Sequence, residues 1–151
     1  METPEIRLFH EQNLKACLVI FDSNIPQFFM PSERDEFIEW LAKPERDDYY
    51  VLIHNGAVVA CGGIYHDDDN RETGLAWGMV RNDLHKQGFG SVLSLFRLDV
   101  ISQKYPDYRQ QLVTSQHTTA FYEKLGFEIV SVEKDGFGPG LDNCKMVRSS
   151  V

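Results

Sequence analysis

An α/β fold, with a mixed β-sheet and helices on both of its faces, is predicted by three features of this chain. The pair Asn55-Gly56 stands between two β-rich runs, Tyr49 to Ile53 and Ala57 to Tyr65. Both residues tolerate the positive φ that a type I′ turn needs at its two central positions, so an antiparallel hairpin follows. A strand over Thr73 to Val80, a helix opened by Gly88-Phe89-Gly90 and a strand over Gln111 to Thr114 then make a strand-helix-strand unit. Such a unit crosses right-handed and leaves its strands parallel. Finally, Leu14, Cys17, Leu18 and Phe21 recur at i, i+3, i+4, i+7, one face of a helix that ends near Asp22-Ser23-Asn24.

The remaining elements follow in order. Ile6 to Leu8 reads as a short first strand. After Pro26 and Pro31 a second helix is expected, with Ser32 as N-cap, Asp35 three residues on, and Phe37, Trp40 and Leu41 as its buried face before Pro44 closes it. Gly62-Gly63 loosens the second hairpin strand. The helix after Gly90 turns Leu93, Phe96, Val100 and Ile101 inward and ends at Tyr105-Pro106. A short helix from Thr118 to Leu125 is stopped by Gly126, and strands over Phe127 to Val132 and Asn143 to Val147 finish the chain.

At 151 residues the chain fits one compact domain, read as residues 1–151. Its 42% hydrophobic and 25% charged residues exclude a disordered or fibrous protein. A net charge of -8 without any basic cluster argues against a nucleic-acid or anionic-membrane partner and makes any phosphate site a local one. Cys17, Cys61 and Cys144 lack the spacing of a zinc or redox site, so no metal is expected and free thiols in a reducing cytoplasm are. The start METPEIRLFHEQ has neither the charge nor the apolar run of a signal peptide, and no stretch is apolar for long enough to span a membrane.

Chemistry is expected first at the loop from Val80 to Gly90. It joins a strand to a helix through glycines, the arrangement that lets backbone N–H groups converge on phosphate oxygens. Gly88 and Gly90 permit close approach, the helix N-terminus adds partial positive charge, and Lys86 adds a full one. A glycine pair at such a junction also serves any tight turn, so this loop needs support from elsewhere. A P-loop is disfavoured because Ser91 follows Gly90 with no lysine, and a Rossmann fingerprint because Leu93 stands where a small residue is needed.

Support comes from Ala120-Phe121-Tyr122-Glu123-Lys124-Leu125-Gly126-Phe127, a short helix leading into a strand. Together the two segments resemble the signature blocks of the GCN5-related N-acetyltransferase (GNAT) family: a pyrophosphate loop of the form Arg/Gln-x-x-Gly-x-Gly/Ala, then a Phe-Tyr-Glu-Lys-x-Gly-Phe block. The resemblance covers most of the chain and leaves residues 9–48 as the variable, substrate-facing part. Thr114 to Thr118 and the tail Gly138-Pro139-Gly140-Leu141-Asp142 are similar to an uncharacterised bacterial subgroup of that family.

The resemblance implies the acyl-CoA N-acyltransferase fold, a mostly antiparallel sheet in which the strands Thr73 to Val80 and Gln111 to Thr114 run parallel and then splay. It implies acetyl-CoA as cosubstrate and direct attack on its thioester by the amine of a small molecule or peptide. The cofactor would lie on Met79, Val80, His85, Lys86, Gln87, Gly88, Phe89, Gly90, Ser91, Ser115, Thr118, Phe121 and Tyr122. Tyr122 falls on the family tyrosine that protonates the departing thiolate.

Three departures from the family pattern matter. His85 stands in place of Arg or Gln and carries full charge only when protonated. Ser115 stands where many relatives have Asn. Gly74 and Ala76 occupy the places of the usual Glu or His base, so the base is unassigned. Glu72, Asp22, His117 and His66 are candidates, as are a water chain or an amine that arrives deprotonated. Asp22, Asn24, Phe28, Phe29, Trp77 and His117 form the expected acceptor wall, with Asp142 as a further contact or a plain turn residue. The competing reading is a noncatalytic acyl-CoA sensor, which would have no use for Tyr122. A homodimer is compatible with the chain, dimers being common in such proteins.

Overall fold

The computed structural model describes residues 3–149. In chain order it contains β1 (Glu5–Leu8), α1 (Leu14–Ser23), α2 (Glu33–Ala42), β2 (Tyr49–His54), β3 (Ala57–Asp67), β4 (Glu72–Val80), α3 (Phe89–Lys104), β5 (Arg109–Thr114), α4 (Thr119–Glu123), β6 (Phe127–Gly138) and β7 (Leu141–Arg148). This is the order read from the sequence. The strands form one sheet, β1-β2-β3-β4-β5-β7-β6, in which only β4 and β5 pair parallel. Asn55 at φ 52° and Gly56 at φ 78° make the turn of the β2–β3 hairpin.

Side-chain alternation along β2 explains how the sheet holds helices on both faces. Tyr49 and Val51 pack with Cys17, Ile20 and Phe21 of α1 and Phe37 of α2. Tyr50 and Leu52, one step along, pack with Phe89 and Leu93 of α3 on the other face. A further cluster of Ile64, Leu75, Leu98, Ile101, Leu112, Phe127 and Met146 continues the core toward the last strands.

Two local expectations are corrected. Ser32 precedes α2, but its side chain makes no capping bond. The Oε2 of Glu33 accepts the Met30 N–H instead, at 2.8 Å. In α3, Phe96 is 38% exposed and rests edge-on against Tyr50, while the helix turns Ser94, Arg97 and Leu98 inward. Cys17, Cys61 and Cys144 are buried and unpaired. No described helix is long and apolar enough to cross a membrane.

The pairing of β4 determines where a cleft can form. It meets β5 only from Glu72 to Gly74, opposite Arg109 to Gln111, after which β5 pairs with β7 alone as far as Thr114. On its other side Ala76 faces Gly63 and Met79 faces Cys61, so Trp77 and Gly78 bulge outward where β3 offers only Gly62. Trp77 adopts φ 49°, unusual for a bulky residue, and its carbonyl is held by the Tyr49 hydroxyl at 2.7 Å.

Candidate active site

Between the parted ends of β4 and β5 lies a cleft of about 860 Å³. At one end is the start of α3. Its N-cap, Gly88, sits at φ 89° and offers no side-chain cap, so the N–H groups of the first turn are open to a ligand. Lys86 also lies in the left-handed region, at φ 66°, which sequence reasoning did not foresee. The two left-handed residues flank Gln87 and curve the backbone into the kind of concavity that binds anions. A Cβ at Gly90 would come within 3.4 Å of the Phe121 ring, so the bare glycine keeps this end narrow.

Lys86, Gly88, Gly90 and Ser91 line the cleft, but two of their expected companions do not. Phe89 is only 7% exposed, because the first turn of α3 points its ring into the core with Tyr50 and Leu52. Gln87 is exposed and outside the lining. His85 lines the cleft, yet its Nε2 lies 2.8 Å from the Val80 carbonyl and must donate there, leaving Nδ1 as its free nitrogen. Its ring stands edge-on to Phe28.

The middle of the cleft is formed by Met79 and Val80 of β4, Leu112 to Ser115, and Thr118, Phe121 and Tyr122. Ser115 is 4% exposed, and its Oγ accepts the His117 N–H at 3.3 Å. Thr118 is hydrogen-bonded to Thr114. Tyr122 packs edge-on against Phe121 and Phe127, which orients its ring.

Arg97, beside Tyr122 in the lining, was not anticipated. It is 2% exposed, with Nη1 donating to the Gly63 carbonyl at 3.1 Å and Nη2 to Ser94 at 3.3 Å. Its Nε has no partner. A Cβ on Gly62 or Gly78 would sit 2.8 or 2.7 Å from the guanidinium, so these glycines make the space it fills. Burial pulls its pKa down from the usual arginine range, and the nearby phenols of Tyr122 and Tyr49 act in the opposite sense.

Another wall of the cleft is formed by Phe28, Phe29, Trp77 and His117, as expected, joined by Glu33, Glu36 and Phe137, which were not. Phe29 stacks on Trp77 at 6.2 Å, and Phe28 lies edge-on to His117. Glu33 is 7% exposed, and burial pushes its carboxyl above the usual range. Only its place at the start of α2 hinted at it, and there a glutamate normally reads as a solvated helix-dipole residue.

Asn24 lines the cleft but acts as a strut. Its Nδ2 donates to the carbonyls of Ile20 and Val80, both at 2.9 Å. We expect Asn24→Ala to lose about 1–3 kcal/mol of stability, measurable by urea unfolding, because it removes two hydrogen bonds that tie α1 to the end of β4.

Of the four expected base candidates, His117 lines the cleft and the other three do not. Asp22 is tied to Arg34 at 2.9 Å on the outer side of α1 and α2. Glu72 is held by Arg109 and Gln111 where β4 and β5 are still paired. His66 is 2.6 Å from Asp47 and stacks on Tyr105, away from the lining. Asp142 accepts the Asp135 N–H at 2.9 Å and closes the β6–β7 hairpin. Among the described residues no group of three or more His, Cys, Asp or Glu side chains could hold a metal.

This architecture places the chain among acyltransferase folds, and sequence comparison specifies which. The family model of the acetyltransferase (GNAT) domain matches residues 45–129, and the chain belongs to that family of acetyltransferases. Among curated protein sequences nothing matches. Of solved structures, the ribosomal-protein-S18-alanine N-acetyltransferase of Escherichia coli superposes with a TM-score of 0.80 at 20% identity, over 97% of this chain and 93% of that one. An N-acetyltransferase from Staphylococcus aureus Mu50 gives 0.76 at 19%, over 99% and 100%. A GNAT acetyltransferase from Elizabethkingia anophelis, solved with acetyl-CoA bound, gives 0.72 at 15%, over 99% of each chain. At these identities the likeness is one of fold.

Proposed function

We propose that this protein is an acetyl-CoA-dependent N-acetyltransferase that moves the acetyl group to a primary amine by direct attack in a ternary complex. The observation that carries the reading is a single cleft with an uncapped helix N-terminus and Lys86 at one end and Tyr122 further along it. Family membership supports it, as does the acetyl-CoA seen in the Elizabethkingia anophelis relative.

Bound acetyl-CoA supplies the activated thioester. The amides of Gly88 to Ser91, with Lys86, hold the diphosphate through the α3 N-terminus. The free edge of β4 near Met79 and Val80 takes the pantetheine amides, since β5 no longer pairs there. A backbone N–H of this bulged stretch faces the thioester oxygen, where preorganised donors are most effective. Tyr122 gives its proton to the sulfur as the carbon–sulfur bond breaks.

Two measurements test this reading. Acetyl-CoA at a hundred times its dissociation constant should stabilise the fold by about 2.7 kcal/mol, raising its melting temperature. Free thiol should appear when acetyl-CoA is incubated with a suitable amine. Stabilisation without thiol release from any amine would favour a noncatalytic acyl-CoA sensor, and the absence of both would refute acetyl-CoA binding.

A further inference from the structure

We infer that the acceptor is a compact cationic amine with an apolar or aromatic body, and that Glu33 seats its ammonium and takes its proton. This rests on the acetyltransferase reading above and specifies the acceptor half of the same cleft.

The first support is the composition of that wall. Phe28, Phe29, Trp77 and Phe137 supply ring surface, and Glu33 and Glu36 are the only acids among the described residues of the lining. The cations of the lining, Lys86, Arg97 and Lys124, come from the phosphate loop, α3 and the end of α4. Aromatic faces and carboxylates together attract an organic cation and repel an amine that carries its own carboxylate.

The second is the placement of Glu33. Its Oε2 accepts the Met30 N–H at 2.8 Å, and its own N–H returns to the Met30 carbonyl at 3.0 Å. This reciprocal bond fixes the side chain and leaves Oε1 free to receive a ligand proton. Burial raises the carboxyl above the ordinary glutamate value, against the opposing effect of the Met30 N–H and with Glu36 as a lesser cause, which improves it as a base near neutrality. Glu36 on α2, His85 of the phosphate loop, His117 before α4, and Tyr65 and Tyr122 are the other titratable groups of the lining at or beside the reacting region. Arg34, next in sequence, is engaged with Asp22.

The third is closure. A Cβ on Gly138 would lie 2.7 Å from Met30 Cε, so the segment between α1 and α2 touches the end of β6. Phe28 and Phe137, from these two segments, both line the cleft. A wall narrowed by this contact suits a small molecule better than an extended polypeptide.

The proton balance is simple. The ammonium gives one proton to the Glu33 carboxylate, the neutral nitrogen forms the new carbon–nitrogen bond, and the carbon–sulfur bond breaks with its electron pair on sulfur. Tyr122 protonates that sulfur. The second proton on nitrogen leaves to water, the phenolate recovers one from solvent, and Glu33 releases its own.

Thiol release should be measured for wild type and Glu33→Gln with arylalkylamines, short alkylamines, α-amino acids and a lysine-containing peptide, across pH. We expect arylalkyl- and alkylamines to exceed the amino acids and the peptide at least tenfold in kcat/KM. We expect Glu33→Gln to lower kcat about 10²-fold or more. It should leave the acetyl-CoA-induced melting shift unchanged, since Gln can still accept the Met30 N–H. The wild-type rate should fall as pH drops through the raised Glu33 value, because protonation removes the base, and the variant should lack that limb. Amine binding to the wild type, followed by tryptophan fluorescence, gives a readout independent of the variant's folding, and it too should weaken on the acid side. Preference for the peptide or for amino acids, or a Glu33→Gln profile with the wild-type acid limb, overturns this inference while leaving the acetyltransferase reading intact. Failure of every amine overturns both.

Discussion

Tyr122→Phe should lower turnover by about 10²–10⁴-fold while leaving acetyl-CoA binding and folding close to wild type. The ring is oriented by edge-on contacts with Phe121 and Phe127, and these survive loss of the hydroxyl. A phenylalanine therefore removes the proton donor and little else. A thousandfold loss corresponds to about 4 kcal/mol of transition-state stabilisation. Thiol release over time, beside a melting curve with and without acetyl-CoA, separates the two effects. Turnover within tenfold of wild type would mean that solvent protonates the sulfur and that Tyr122 only packs.

The second large effect should come from Gly74. The family resemblance implies a Glu or His base at the positions of Gly74 and Ala76, so Gly74→Glu looks like a repair of the missing base. The structure predicts the opposite. A Cβ on Gly74 would fall 1.8 Å from the Gln111 carbonyl oxygen and 2.8 Å from the Tyr65 ring. The first of these is backbone and belongs to the parallel ladder that fixes where β4 and β5 part. Even Gly74→Ala must push the strands apart, at a cost of about 3 kcal/mol. That is a fall of roughly 6–12 °C in Tm for a domain of this size. Gly74→Glu should be worse, and acetyl-CoA should stabilise it less than wild type because the fork of the cleft has moved. Thermal unfolding with and without the cofactor decides this; a Gly74→Glu protein with wild-type stability and higher turnover would refute it. The missing base at this position is therefore tied to tight strand pairing, and the proton must leave elsewhere.

Local signals made most of the frame legible. Asn55-Gly56 specifies its turn through two adjacent residues, and the glycines before α3 mark the junction at which the anion-binding loop forms. What could not be read depends on residues far apart in the chain. Arg97 turns inward and Phe96 outward, against hydrophobic periodicity, because Gly62 and Gly78 on two other elements leave room for a guanidinium. Glu33 is an exposed helix-start residue by pattern, and only the fold reveals that it is 7% exposed with its carboxylate turned back to the Met30 N–H. Asp22 and Glu72 were plausible bases by type, and only the fold reveals that Arg34, Arg109 and Gln111 already hold them. The bulge at Trp77 has no signature in composition, since it arises from a mismatch in length between β3 and β4.

The arginine lodged between the sheet's glycines gives the middle of the cleft a charge almost wholly withdrawn from solvent. Counterions screen exposed groups over about 10 Å at ordinary salt, while a sealed-in guanidinium keeps its field and its proton. Lys86, on the open loop, has no such shelter. Rising ionic strength therefore dims the attraction at the mouth of the cleft and leaves the potential at its centre nearly constant.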